Sequence, residues 1–327
     1  MDGRAAQPLM AIENLGIRFG GARGPRIIDG VSLVLNKGET LGIVGESGCG
    51  KSILSLSVLG LLPEGARITE GSISLEGQNL STLSPRALRA LRGNQISMVF
   101  QEPMTALNPV LSVGSQLAEV FRTHRGASRK EARQMAVEAL RAVGVASPET
   151  RIRAYPAQLS GGMRQRVMIA MALACHPKIL IADEPTTALD VTIQAQILDL
   201  MRSLRKDFDT SILFISHDLG VIAEVSDRVA VLYSGVVVEE APTAEIFDNP
   251  RHPYTLGLLA SVPRLDQPAE ARLRPVEGQP PDPLALPEGC PFHPRCPYAV
   301  EKCRTEAPPL RGVAASHEIA CWVDVDA

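Results

Sequence analysis

LGIVGESGCGKS, residues 41–52, decides the architecture. Leu41–Val44 is an apolar run of the kind that forms a buried strand, and Ile53 onward (ILSLSVLGLL) continues as a helix. Between them, GESGCGKS fits G-x-x-x-x-G-K-[ST] in the strand–turn–helix setting that gives the motif its meaning. Gly45, Gly48 and Gly50 let backbone N–H groups converge on phosphate oxygens, and the helix N-terminus adds its positive end. Lys51 would neutralise β- and γ-phosphates, and the Ser52 hydroxyl would ligate Mg²⁺. Cys49 reads as a small filler whose backbone matters. A chance glycine-rich turn is the bland alternative, and the flanking elements argue against it.

Moving outward, ILIADE (179–184) is an apolar strand that ends in two acids. Asp183 suits a Mg²⁺ shell, and Glu184 suits a base that polarises an attacking water; a helix N-cap followed by an exposed acid is the alternative. SILFIS (211–216) is a third buried strand, followed by His217 in ISHD. A lone histidine is more often structural, but here it follows a strand of the same sheet. Further strands are expected at 9–19 and 31–36, with a Gly/Arg/Pro-rich loop between them. A hairpin is expected from VAVLY and VVVEE around Ser234-Gly235. Residues 84 to about 145 read as mostly helical, interrupted by the loop QEPMTALNP, and VTIQAQILDLMRSLRKD is a helix. No internal repeat is present. Of the 25 prolines, 15 lie in residues 241–327, which disfavours long helices and strands there.

The chain has 327 residues, 45% hydrophobic, with a net charge of −3. That balance disfavours a nucleic-acid face. No apolar run reaches the roughly 20 residues needed to cross a bilayer, and the start has no secretion-signal pattern. A cytosolic protein is expected, in which disulfides are rare.

LSGGMRQRVMIAMAL (159–173), with GESGCGKS, Gln101, ILIADEP, Ala188-Leu189-Asp190 and His217 in this order, resembles the nucleotide-binding subunit of an ABC transporter over residues 9–240. The resemblance implies an α/β P-loop ATPase core with an antiparallel β-subdomain and a helical subdomain (about 103–158). ATP and Mg²⁺ would be its ligands. It implies that Phe19 stacks on adenine and that Gly45, Glu46, Ser47, Gly48, Cys49, Gly50, Lys51, Ser52 and Ile53 contact ATP. Ser52, Gln101 and Asp183 would hold Mg²⁺, and Glu184, His217 and Gln101 would be catalytic. Phe19 could instead be a strand core aromatic. Ser160, Gly161 and Gly162, with Asp190, would meet ATP held by the opposite subunit. Met163 stands where the signature usually has Gln. One chain cannot grip a single ATP from both sides, so a second ATP-binding subunit is expected.

Residues 98–119, 158–198 and 249–263 resemble the peptide/nickel importers, and LSGGM resembles their D-type peptide-importer subunit. Its implied partners are an F-type ATPase, two membrane permeases and, indirectly, an external peptide-binding protein, with the chain peripheral on the cytoplasmic face of the membrane. The stretch 249–263 reads as a proline-capped arm without chemistry. The expected domains are 1–240, the ATPase, and 241–327, a C-terminal extension. Cys290, Cys296, Cys303 and Cys321 are spaced C-x5-C-x6-C-x17-C, without the C-x2-C knuckle of structural zinc. Four thiolates can hold a [4Fe–4S] cluster and cross-link a proline-rich segment, and D-type subunits carry a cluster at a similar set. Zinc and free thiols remain alternatives. Cys175 reads as core. Rival readings are an ATPase of a nickel or glutathione importer, an ABC ATPase acting on nucleic acid, and a redox module with a vestigial ATP site.

Overall fold

The computed structural model describes residues 7–21, 24–101, 106–187, 189–261, 276–283, 285–323 and 325. Residues 102–105 of the proline-punctuated loop and Ala188 lie outside these. In chain order the strands are β1 (Met10–Phe19), β2 (Arg26–Leu35), β3 (Thr40–Val44), β4 (Ala66–Leu75), β5 (Gln78–Asn79), β6 (Ile96–Val99), β7 (Ile179–Asp183), β8 (Ser211–Ile215), β9 (Arg228–Tyr233), β10 (Val236–Pro242), β11 (Arg311–Ala314) and β12 (His317–Ile319). The chain forms two compact units, one of residues 1–36, 40–82 and 214–327, the other of 37–39 and 83–213.

The first unit contains an antiparallel sheet in the order β2-β1-β4-β5. Met10, Ile12, Leu15 and Ile17 of β1 are buried, as alternation requires of a one-sided strand. Bulges around Asn14, which takes a positive φ of 46°, shift the register part-way. β2 begins at Arg26, five residues before the strand expected at 31. Asp29 and Gly30 break its apolar pattern, yet Ile28 stays paired with Ile17. β4 carries no sequence signal strong enough to have been marked.

The same unit holds strands in the order β11-β12-β10-β9-β3. β3 pairs in parallel with β9, and every residue of β3 is buried, which explains its unbroken apolar run. β9 and β10 form the expected hairpin. Ser234 and Gly235 both have positive φ (45° and 82°), the conformation of a two-residue type I′ turn. Among the described residues after 242, helices stay short; the longest, Pro253–Ala260, has eight residues. Glu239 of β10, fully buried, accepts hydrogen bonds from the Arg251 amide (2.6 Å), the His252 amide (3.1 Å) and His317 Nε2 (2.8 Å). One carboxylate thus fastens β12 and the 251–252 segment to β10.

The second unit contains β7 paired in parallel with β6 and helices at Pro85–Leu91, Val113–Arg125, Arg129–Ala142, Gly161–Leu173 and Val191–Phe208. β6 falls inside the stretch expected to be helical. Four apolar residues are too few for periodicity to separate strand from helix, and pairing with Ile179–Ala182 decides it. Helix 113–125 is capped by the Ser112 hydroxyl and stopped at Gly126 in the left-handed region. Helix 129–142 opens with a reciprocal Ser128/Glu131 capping box.

Candidate functional site

The glycine loop follows β3 as its sequence requires. A Cβ on Gly45 would lie 2.2 Å from the Leu232 carbonyl oxygen, so only glycine fits. Gly50 is the N-cap of helix Lys51–Val58, with φ 107° and no capping side chain. The first-turn amides therefore face whatever anion the loop takes up. Lys51 is buried, and its ammonium donates to the carbonyls of Gly45 (2.7 Å) and Glu46 (2.9 Å). Ser52 is exposed at the helix start and Ile53 half-buried. Burial pushes the Cys49 thiol up, in keeping with a packing role.

The loop is braced by residues that the motif does not reveal. The Gly235 amide donates to the Cys49 carbonyl (2.9 Å). The Glu46 amide donates to the Tyr254 hydroxyl (2.9 Å), so the 249–263 stretch, read as an arm without chemistry, supports the loop directly. Burial pushes the Tyr254 phenol far up, so it stays a neutral partner. Tyr254, Tyr233 and Phe292 pack with ring centroids 4.6–5.4 Å apart. Arg295 grips the Glu46 carboxylate through both terminal nitrogens (2.6 and 3.0 Å), and this hydrogen bonding holds its guanidinium above the ordinary range. Pro280, Pro281 and Pro283 share with Glu46, Ser47 and Cys49 the wall of a cavity of about 250 Å³.

In the second unit, β7 is buried throughout and ends at Asp183. Glu184 follows with φ 46°, a left-handed turn that costs a non-glycine residue energy and is typical of a functional position. Its carboxylate accepts from Gln101 Nε2 (2.9 Å) and from the Thr187 hydroxyl (2.9 Å). Gln165 donates to the Pro185 carbonyl (2.6 Å), fixing the turn. The residues expected to act in catalysis from this unit, Gln101 and Glu184, are thus brought together; Thr187 and Gln165 were not foreseen. Thr187 is marked in sequence only by its nearness to the acids, and Gln165 only by lying in the LSGGMRQR stretch.

The remaining expected residues lie as follows. Phe19 is 42% exposed at the end of β1, beside Gly65, which excludes the core-aromatic alternative. Ser160 is the N-cap of helix Gly161–Leu173 and accepts from the Met163 amide (3.4 Å). Ser160 and Gly161 are exposed, and a Cβ on Gly162 would approach Ile193 to 2.8 Å. Asp190 caps helix Val191–Phe208 through the Ile193 amide (3.0 Å). His217 is exposed just past β8.

Cys290, Cys303 and Cys321 are buried, Cys296 is half-buried, and all four are free thiols. The Cys290 thiol is pushed up to about 11, first by burial and then by the neighbouring Cys303, Cys321 and Cys296; the four share one neighbourhood. The Cys290 amide donates to the Cys303 carbonyl (2.8 Å). Among the described residues, no three His, Cys, Asp or Glu side chains are gathered closely enough to hold a metal ion. Cys175 is buried, as expected.

A glycine loop with a buried lysine between strand and helix, an acid-ended buried strand and a serine-capped signature helix define an ATP-binding cassette ATPase. The ABC transporter family matches residues 28–187, and the oligopeptide/dipeptide transporter C-terminal region matches residues 238–303. The oligopeptide transport ATP-binding protein AppD of Bacillus subtilis (strain 168) is 51% identical over 96% of this chain and 96% of its own length. The dipeptide transport ATP-binding protein DppD of the same organism is 50% identical over 97% and 95%. The dimeric post-hydrolysis structure of the ATP-binding cassette MJ0796, bound to ADP and Pi, matches with TM-score 0.64 and 30% identity, over 72% of this chain and 98% of that one. The chain belongs to the ABC transporter ATP-binding subunits that carry the oligopeptide/dipeptide transporter C-terminal region, and it is an ATPase.

Proposed function

We propose that this chain hydrolyses ATP to power import of di- or oligopeptides through a membrane permease, working beside a second, F-type ATP-binding subunit on the cytoplasmic face of the membrane. The carrying observation is Glu184, held at the end of β7 by Gln101 and Thr187. Peptide as cargo rests on the names of AppD and DppD and on the matched C-terminal region. Among the described residues no helix is long and apolar enough to cross a membrane; the permease as partner rests on the same likeness to AppD and DppD. Residues 1–240 act as the ATPase domain, with 103–158 receiving the permease, and 241–327 as the extension.

Phe19 stacks on adenine. The amides and side chains of residues 45–53, Lys51 foremost, hold the phosphates. Ser52, Gln101 and Asp183 would hold Mg²⁺ through side-chain oxygens, the donors that ion prefers, and the ion would supply charge neutralisation on the phosphates. Glu184 takes a proton from water, whose oxygen attacks the γ-phosphorus as the bond to the β–γ bridging oxygen breaks and ADP leaves. His217 binds the γ-phosphate. Ser160, Gly161, Gly162 and Asp190 serve the ATP of the partner subunit, so nucleotide joins the two subunits before hydrolysis and releases them afterwards.

The cysteine neighbourhood fits a [4Fe–4S] cluster in its donor chemistry: four free thiols, largely buried, in a segment short of apolar core. Zinc is the alternative occupant, since the same four thiols are zinc donors as well. The cluster, when bound, cross-links the extension.

The test is reconstitution of the full assembly in vesicles. Hydrolysis stimulated by peptide and its binding protein, with peptide accumulating inside, is the expected result. Stimulation by nickel or glutathione and not by peptide would overturn the cargo assignment.

A further inference from the structure

A carboxylate inside a loop that must bind a polyphosphate is an electrostatic liability. Glu46 is such a carboxylate, one residue into the glycine loop. In this structure it is answered by Arg295, from the segment that also carries Cys290 and Cys296. Each of the five guanidinium N–H groups has a partner. The two terminal nitrogens take the two oxygens of Glu46, and their other hydrogens go to the Tyr233 hydroxyl (3.4 Å) and the Val276 carbonyl (3.1 Å). Nε donates to the Glu277 carbonyl (2.9 Å). The Arg295 side chain is 4% exposed and that of Glu46 26%, so the pair is partly buried and only partly screened by solvent. The planar fork matches a carboxylate in two places at once, which an ammonium cannot do.

We propose that Arg295 is a positioning residue for the phosphate-binding loop: it neutralises Glu46 and fixes the loop from the C-terminal extension, so that nucleotide affinity depends on that extension. The inference rests on the ATP reading of the loop. Tyr254 makes the same connection on the backbone side by accepting the Glu46 amide. Two independent contacts therefore tie residues beyond 250 to one residue of the loop. Nothing in G-x-x-x-x-G-K-[ST] requires an acid at the second position, so the pair is a feature of this chain and not of the motif.

The experiment is equilibrium titration of the full-length chain with a fluorescent ATP analogue and Mg²⁺, comparing the native chain, Arg295→Met, Arg295→Lys and the double variant Arg295→Met/Glu46→Gln. Arg295→Met leaves the Glu46 charge beside the phosphates and should weaken binding about tenfold or more. Arg295→Lys should fall in between, keeping the charge but losing the fork. The double variant removes both charges and should recover most of the loss, since replacing both members of a partly buried pair by neutral groups leaves no charge unpaired. Recovery separates electrostatic positioning from a merely structural role, because the double variant shares any packing lost with Arg295. Native-like affinity in Arg295→Met overturns the proposal, and so does a double variant no better than the single one. A native chain that binds no ATP analogue overturns the ATP reading and this inference with it.

Discussion

Gln101 Nε2 donates to Glu184 Oε2 at 2.9 Å, although 83 residues separate them in the chain. With the Thr187 hydroxyl on the same oxygen, this bond fixes where the proposed base points. Removing one donor leaves the carboxylate less well held, at a cost of about 1–3 kcal/mol. Thr187→Val should therefore lower kcat about tenfold, with KM for ATP within about twofold of the native value, because Thr187 is not among the residues assigned to nucleotide. Steady-state ATPase kinetics of the assembled transporter check this. A rise in KM without a fall in kcat would place Thr187 in binding instead.

His252 gives the fold a pH dependence. Its ring is 1% exposed and accepts the Tyr254 amide at Nδ1 (3.1 Å). Burial lowers its pKa to about 3 from an ordinary 6.5. The unfolded chain binds a proton at this residue as pH falls below 6.5, and the folded chain does not until pH approaches 3. Its contribution to stability is thus complete above pH 6.5 and is lost progressively below it. At pH 5 the loss amounts to about 2 kcal/mol by linkage. Thermal melts between pH 7.5 and 5 should show the drop, and His252→Asn, which keeps an N-cap acceptor, should flatten it. An equal slope in the variant would assign the pH dependence to other groups.

For the cysteines, anaerobic purification should yield about four irons and four acid-labile sulfides per chain, as four thiolates on one cubane require. Cys303→Ser should reduce both. One zinc without iron would move the site to structural zinc, and no metal would leave four free thiols without the assigned role.

Much of this arrangement was legible in the sequence because local chemistry dictates it. Lys51 and Gly45 sit where the loop motif requires, Asp183 ends an apolar strand, and Ser160 caps its helix. Positive φ at Ser234 and Gly235 produces the hairpin their sequence announces. What was not legible depends on distant partners. β6 is too short to declare itself until β7 pairs with it. Arg295 and Tyr254 carry no motif, and their importance appears only when the chain returns from beyond residue 250 to Glu46. Thr187 and Gln165 likewise acquire roles from the turn that Glu184 makes.

The most direct test of ATP hydrolysis by this site is the Glu184→Gln chain, assembled with its F-type partner and given ATP and Mg²⁺. Hydrolysis should fall about 10²–10⁴-fold, the range of general-base contributions, while unhydrolysed ATP stays bound and the two subunits co-elute as a dimer. Turnover at the native rate in this variant would mean that Glu184 is not the base.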